Sequence, residues 1–344
     1  MAQVCFGPPC SRTCLRVVCL LFLCLSLLGQ QRDSGNFGVN APGAGAPSSP
    51  AVNVNQVAIL RWYAANLTTS FGSGALSFPS DVAFDGANIW VTNDASSSVT
   101  KLRANDGTVL STFSVPAGAD YLAFDGANVW VTNGSIITPS VTKLRASDGT
   151  VLGTFTVGSG PVDVAFDGKN IWVANSGSDI VTKLRAIDGK VLRTFPVGMN
   201  PHGVAFDGKN IWVANTNSNN VTKLQASNGA VLGTFTVGTE PIGIAFDGAN
   251  IWVTNLSSNS VTKLRASDGT VLGTFGVGTN PFDVAFDGAN IWVVNESSGT
   301  VTKLRADDGK VLGTFPVGAQ PLGVAFDGAN IWVANLASGT VSKL

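Results

Sequence analysis

Cysteine is confined to the first 24 residues, as Cys5, Cys10, Cys14, Cys19 and Cys24, and none follows. A chain processed after that segment has no disulfide, no thiolate nucleophile and no Cys-ligated metal. Histidine occurs once, as His202. A basic excess is missing too: beyond residue 30 there are 19 basic against 22 acidic side chains, which gives no footing for a nucleic-acid partner. Only one long apolar run exists, Val17 to Leu28 (VVCLLFLCLSLL). It is shorter than the roughly twenty residues a spanning helix needs, so no stable membrane span is expected once it is removed.

Arg12 and Arg16 precede that run, and the arrangement reads as a secretory signal peptide over residues 1–30. The expected destination is therefore the periplasm or the outside of the cell. Residues 31–56 (including APGAGAPSSPAVN) are Gly, Ala, Pro, Ser and Asn without apolar periodicity, as in a flexible linker. The folded part is expected to span 57–344.

What fills that span is a unit of about forty residues with the core V-A-F-D-G-A-N-I-W-V-T-N. Its A-F-D-G element starts at Ala83, Ala123, Ala165, Ala205, Ala245, Ala285 and Ala325, in steps of 40, 42, 40, 40, 40 and 40. Seven copies at one period mean a repeat architecture. Each copy holds four short apolar runs and no helical period. In the copy after Thr239 these are Ile242 to Phe246, Ile251 to Thr254, Val261 to Arg265 and Thr270 to Phe275, with Asp247-Gly248 and Asp268-Gly269 at two of the turns. Asp-Gly between β-prone runs is a hairpin signal, because glycine accepts the positive φ the turn needs.

The expected fold is all-β, a seven-bladed β-propeller of four-stranded antiparallel blades, and a monomer. Ile89, Trp90 and Val91 follow one another without a polar alternate, so the second strand must be covered on both faces. The in-register tryptophans, from Trp90 to Trp332, then pack between blades. Val-Thr-Lys-Leu-Arg in the third strand reads as a solvated, charged rim that discourages strand addition. Residues 57–71 align with the third and fourth strands of a unit, whereas the last copy stops after its third strand. The N-terminal strand around Leu67 to Phe71 can therefore close the ring. Whether Val57 to Tyr63 or Val341 to Leu344 supplies the third strand there stays open.

W-V-T-N, with its W-V-A-N and W-V-V-N variants, resembles the YVTN family of β-propeller repeats, with Trp where that family has Tyr. The V-G-x-x-P lead-in at Val197 to Pro201 and Val277 to Pro281 is similar to the same family. More distantly the chain resembles the virginiamycin B lyase group, which opens a lactone with a histidine base and magnesium. That resemblance implies His202 and Glu240 as base and acid, with magnesium as the only cofactor. The lyase repeats end the tryptophan strand in F-T-E, where this chain has V-T-N.

Strand order assigns two faces. The Asp-Gly turns lie on one, and their aspartates are explained by bonds to the local backbone. The loops entering the first strand and joining the second to the third lie on the other, and there the repeats differ. Variation on one face of a rigid scaffold builds a binding surface. The candidate binding residues are Val162, His202, Glu240, Ile242, Phe282 and Leu322, together with Ile136 and Ile137 of the only insertion. Asp81, Asp163 and Asp283 stand where other copies have Gly203, Gly243 and Gly323, and form a group suited to a cation. The expected function is a secreted, non-catalytic binding or scaffolding module without a cofactor, taking a protein, peptide, glycan or small-molecule ligand.

Overall fold

The structure, a computed structural model, describes residues 69–344. The expected signal peptide, the expected linker and the candidate third strand Val57 to Tyr63 lie outside the described residues. Seven four-stranded antiparallel sheets follow one another, and in the first six the strands are ordered along the chain from the innermost outward. In the fifth blade these strands are Pro241–Phe246, Asn250–Asn255, Ser260–Arg265 and Val271–Gly276. Apart from one 3-10 turn, Thr216–Ser218, all described elements are strands. Among the described residues no helix is long and apolar enough to cross a membrane.

The seventh blade is shared between the chain's two ends. Its strands Pro321–Phe326, Ile331–Asn335 and Thr340–Lys343 are completed by Thr69–Phe71, with Phe71 opposite Val341. Val341 to Lys343 is thus the third strand of that sheet. Phe71 also places its ring 5.5 Å from that of Trp332.

Blades hold together through the residues that leave the second strand without polar alternation. Trp212 of the fourth blade is fully buried in a cluster with Ile251, Val253 and Leu264 of the fifth. Trp332 does the same with Ile89, Val91 and Leu102 of the first, which closes the ring. Each of these tryptophans also meets an outer-strand phenylalanine, as Trp90 meets Phe113 at 5.6 Å. Phe113 lies against Gly149 of the next blade, where a Cβ would come within 2.0 Å of the ring, so only glycine fits.

The lysines correct the expectation of a solvated rim. Lys143 is buried on the third strand; its Nζ lies 5.2 Å from the centre of the Trp130 ring and donates to the Ala186 carbonyl of the next blade at 2.7 Å. The same geometry recurs at Lys183, Lys223 and Lys263. A long stem allows the ammonium to cross the blade interface along an aromatic face and end on a carbonyl. These groups stitch neighbouring blades rather than guard an edge. The third strand is not an edge at all, since a fourth covers it. Only the arginines are exposed, paired with the second Asp-Gly turn, as Arg265 is with Asp268 at 3.0 Å.

The invariant aspartates of the first turn have a wider role than local backbone capping. Asp207 accepts the amides of Lys209 and Asn210 and also the indole N–H of Trp212 at 2.8 Å. Burial raises its carboxyl pKa, but those donors outweigh the burial and leave it below its ordinary value.

Candidate functional site at the channel mouth

Every innermost strand carries a bulge at the same place. In the third blade Pro161 pairs with Asn175 and Val164 with Val173, so Val162 and Asp163 together face the single residue Ala174. The other six blades repeat this shift. A bulge re-aims side chains out of the regular alternation. Here it affects the second and third residues of the strand, at the end that meets the variable loops. Those loops do share a face: Leu256 of a second-to-third loop donates to Glu240 of an entering loop at 2.9 Å, and Glu296 to Asn280 likewise.

A cavity of about 180 Å³ lies among the bulged residues of different blades, lined by Asp81, Tyr121, Asp163, His202, Phe282 and Asp283, with the backbone of Gly203 and Gly243. Larger grooves of about 610 to 630 Å³ lie between neighbouring blades on the Asp-Gly side, but corresponding residues line them from blade to blade. The central cavity is where near-identical copies diverge.

Its three aspartates are clamps between blades. Oδ2 of Asp81 accepts the Leu122 amide of the second blade at 3.0 Å, that of Asp163 the Val204 amide at 2.7 Å, and that of Asp283 the Val324 amide at 3.0 Å. Glycine replaces aspartate where the next blade presses closer: a Cβ on Gly323 would stand 2.4 Å from Asp81 Oδ1 and 2.6 Å from its Cα. No lysine or arginine lines the cavity. Burial therefore raises the carboxyl of Asp163 to about 7 and that of Asp283 to about 6, and lifts Asp81 well above the ordinary range, with the Asp283 charge adding to it. Burial and the charge of Asp94 bring Asp120, next to Tyr121, to about 7.

His202 stands edge-on between two aromatic rings, 5.4 Å from that of Tyr121 and 5.8 Å from that of Phe282. Burial pushes its imidazole down to about 4, so it is neutral at physiological pH. Burial, followed by Asp120, raises the phenol of Tyr121 and keeps it protonated.

The structure divides the residues selected from sequence. His202 and Phe282 line the cavity. Val162, Ile242 and Leu322 do not line it: Ile242 is 5% exposed, and Val162 packs half-buried against the core of the fourth blade. Ile242 and Val162 thus serve packing, whereas His202 and Phe282 at the same position of their strands face the cavity. Ile136 and Ile137 are 95% and 85% exposed. Glu240 sits in the left-handed turn before the fifth blade, where its carboxylate accepts the Ser257 hydroxyl, and it does not line the cavity. The His202 and Glu240 pair implied by the lyase resemblance is thus not brought together there. Nor does a magnesium site fit: the three aspartates spend oxygens on backbone amides, and among the described residues no three His, Cys, Asp or Glu side chains are grouped to hold a metal ion. Tyr121 and Asp120 were missed because the second blade lacks the V-G-x-x-P lead-in. Counting back from its A-F-D-G would have aligned Tyr121 with Asp81.

The fold and the channel mouth define a closed repeat propeller with a central polar cavity. The chain belongs to the PQQ_2 family, described as outer membrane protein assembly factor BamB, whose model matches residues 139–342. No curated protein is matched by the sequence. Among solved structures, a streptogramin B lyase is similar with a TM-score of 0.69 and 18% identity, covering 80% of this chain and 96% of that one. The hydrazine synthase of Kuenenia stuttgartiensis follows at 0.67 and 20% identity, covering 78% and 96%. A functionally unknown protein from Desulfotomaculum acetoxidans DSM 771 gives 0.63 and 17%, covering 75% and 90%. At these identities the likeness is one of fold.

Proposed function

We propose that this protein is a secreted, non-catalytic binding module that takes its ligand at the channel mouth on the variable-loop face. One observation carries this reading: the bulged positions of seven near-identical blades hold different residues, and those from the first, second, third, fourth and sixth blades meet at one cavity. The clamps account for the aspartates and the glycines facing them, but not for Tyr121, His202 and Phe282. The separation of Glu240 from His202 weighs against a lactone-opening role. The family's description as an outer membrane assembly factor favours a protein partner in the cell envelope.

The test is a thermal-shift screen of the full chain against peptides, glycans, macrolactones and divalent cations. A ligand at a hundred times its Kd adds about 2.7 kcal/mol to the folded state. A shift abolished in a Tyr121→Ala/His202→Ala double variant supports the mouth as the site. Turnover of a macrolactone, lost in His202→Ala, overturns the non-catalytic reading.

A further inference from the structure

Charge is segregated between the two faces of the ring. All seventeen lysines and arginines of the described residues lie on third strands, on the fourth strand of the third blade (Arg193) or at the Asp-Gly turns. The loops of the variable face and the bulged positions carry none. They carry eight carboxylates: the three channel clamps, Asp120 beside Tyr121, and Asp94, Asp179, Glu240 and Glu296 in the surrounding loops. The formal charge of the whole chain is only −1, so composition conceals this asymmetry. A face of one sign around a low-dielectric funnel concentrates the field and attracts the opposite charge.

The same face also exposes large apolar side chains. Phe78 enters the first blade, Ile136 and Ile137 stand in the insertion of the second, and Met199 leads into the fourth; each is more than half exposed. Isolated exposed apolar groups are ordinary, but these four belong to loops of the first, second and fourth blades on the face whose acidic mouth is walled by Tyr121 and Phe282. A small ammonium compound would use the mouth and leave these side chains uncovered. A polypeptide that alternates basic and apolar side chains would cover both.

We propose that the variable-loop face docks a basic polypeptide segment, with a lysine or arginine side chain entering the channel mouth and neighbouring apolar side chains lying on Phe78, Ile136, Ile137 and Met199. This rests on the binding-module reading and names its partner class. Tyr121 and Phe282 wall the entry, and the surrounding carboxylates supply the counter-charge.

The test uses the full chain and a fluorescein-labelled peptide of alternating lysine and leucine, followed by anisotropy at low and physiological salt. Two comparison peptides carry glutamate for lysine or serine for leucine, and spermine is the small-molecule arm. The lysine–leucine peptide is expected to bind more tightly than the others, and salt to weaken it. Neutralising the rim as Asp94→Asn/Glu240→Gln/Glu296→Gln should weaken binding about tenfold, at a fraction of a kcal/mol per exposed pair. Neutralising three carboxylates of the opposite face, Asp106→Asn/Asp148→Asn/Asp308→Asn, should leave it unchanged. Equal loss in the two triple variants, or spermine binding as tightly as the peptide, overturns the proposal. So does preference for the glutamate peptide; if that binding is lost in Tyr121→Ala/His202→Ala, the binding-module reading survives while the basic-partner proposal fails.

Discussion

Replacing Asp247 by alanine isolates what the invariant first turn contributes to each blade. Oδ2 of Asp247 accepts the Trp252 indole N–H at 2.8 Å, and Oδ1 accepts the amides of Ala249 at 2.9 Å and Asn250 at 2.6 Å. Trp252 is fully buried between blades. Without the carboxylate, its donor loses a charge-assisted bond, at about 1.5–3 kcal/mol, and the turn amides add about 1 kcal/mol. The sum is about 2.5–4 kcal/mol, or a fall in Tm of about 5–8 °C for a domain of this size. The matched control is Asp268→Ala in the second turn of the same blade. That carboxylate meets only the Thr270 amide and the exposed Arg265, and the fourth blade has Asn228 there, whose side chain accepts the Ala230 amide at 2.9 Å. Thermal unfolding followed by tryptophan fluorescence should place Asp268→Ala close to the parent and Asp247→Ala well below it. Equal losses would refute the claim that the first turn holds the blade interface through its tryptophan.

Phe71→Ala should cost about 2–3 kcal/mol and speed hydrogen exchange in Thr340–Lys343 relative to the other third strands, because among the described residues three residue pairs and the packing of Phe71 on Trp332 hold the closing strand; unchanged exchange would show that ring closure does not depend on it. Gly323→Ala should cost about 1–3 kcal/mol by driving a Cβ into Asp81, whereas Gly276→Ala, with nothing within 4 Å, should be neutral in the same denaturation assay. The channel carboxylates predict an unusual pH profile. Because burial raises Asp163 to about 7 and Asp283 to about 6, their stabilising contribution is complete below the ordinary carboxylate range and is lost as pH rises through those values. His202, pushed down to about 4, opposes this as pH falls from its ordinary value, but it is one group against the several carboxylates. Tm should be higher at about pH 5.5 than at about pH 8, and Asp163→Asn should reduce the difference; a slope of the opposite sign refutes the burial argument.

The repeat period, the Asp-Gly turns and the unbroken apolar second strand were enough to specify seven antiparallel blades, because each is a local signal written seven times. Closure by the strand ending at Phe71 was legible for the same reason. The destination of the lysines was not: Lys143 in V-T-K-L-R looks solvated until the next blade brings the Ala186 carbonyl to its ammonium. The site was half legible. Divergence at His202, Phe282, Asp81, Asp163 and Asp283 stood out against the repeat, but alternation along a strand cannot reveal a bulge, nor which bulged side chains, such as His202 and Tyr121, line a cavity while Ile242 is buried outside it. By itself the sequence determined the blade, since turn chemistry and apolar spacing act within forty residues. The tertiary structure alone decided the channel mouth and its uncompensated acidity, because side chains some forty residues apart meet only when the ring closes around its axis.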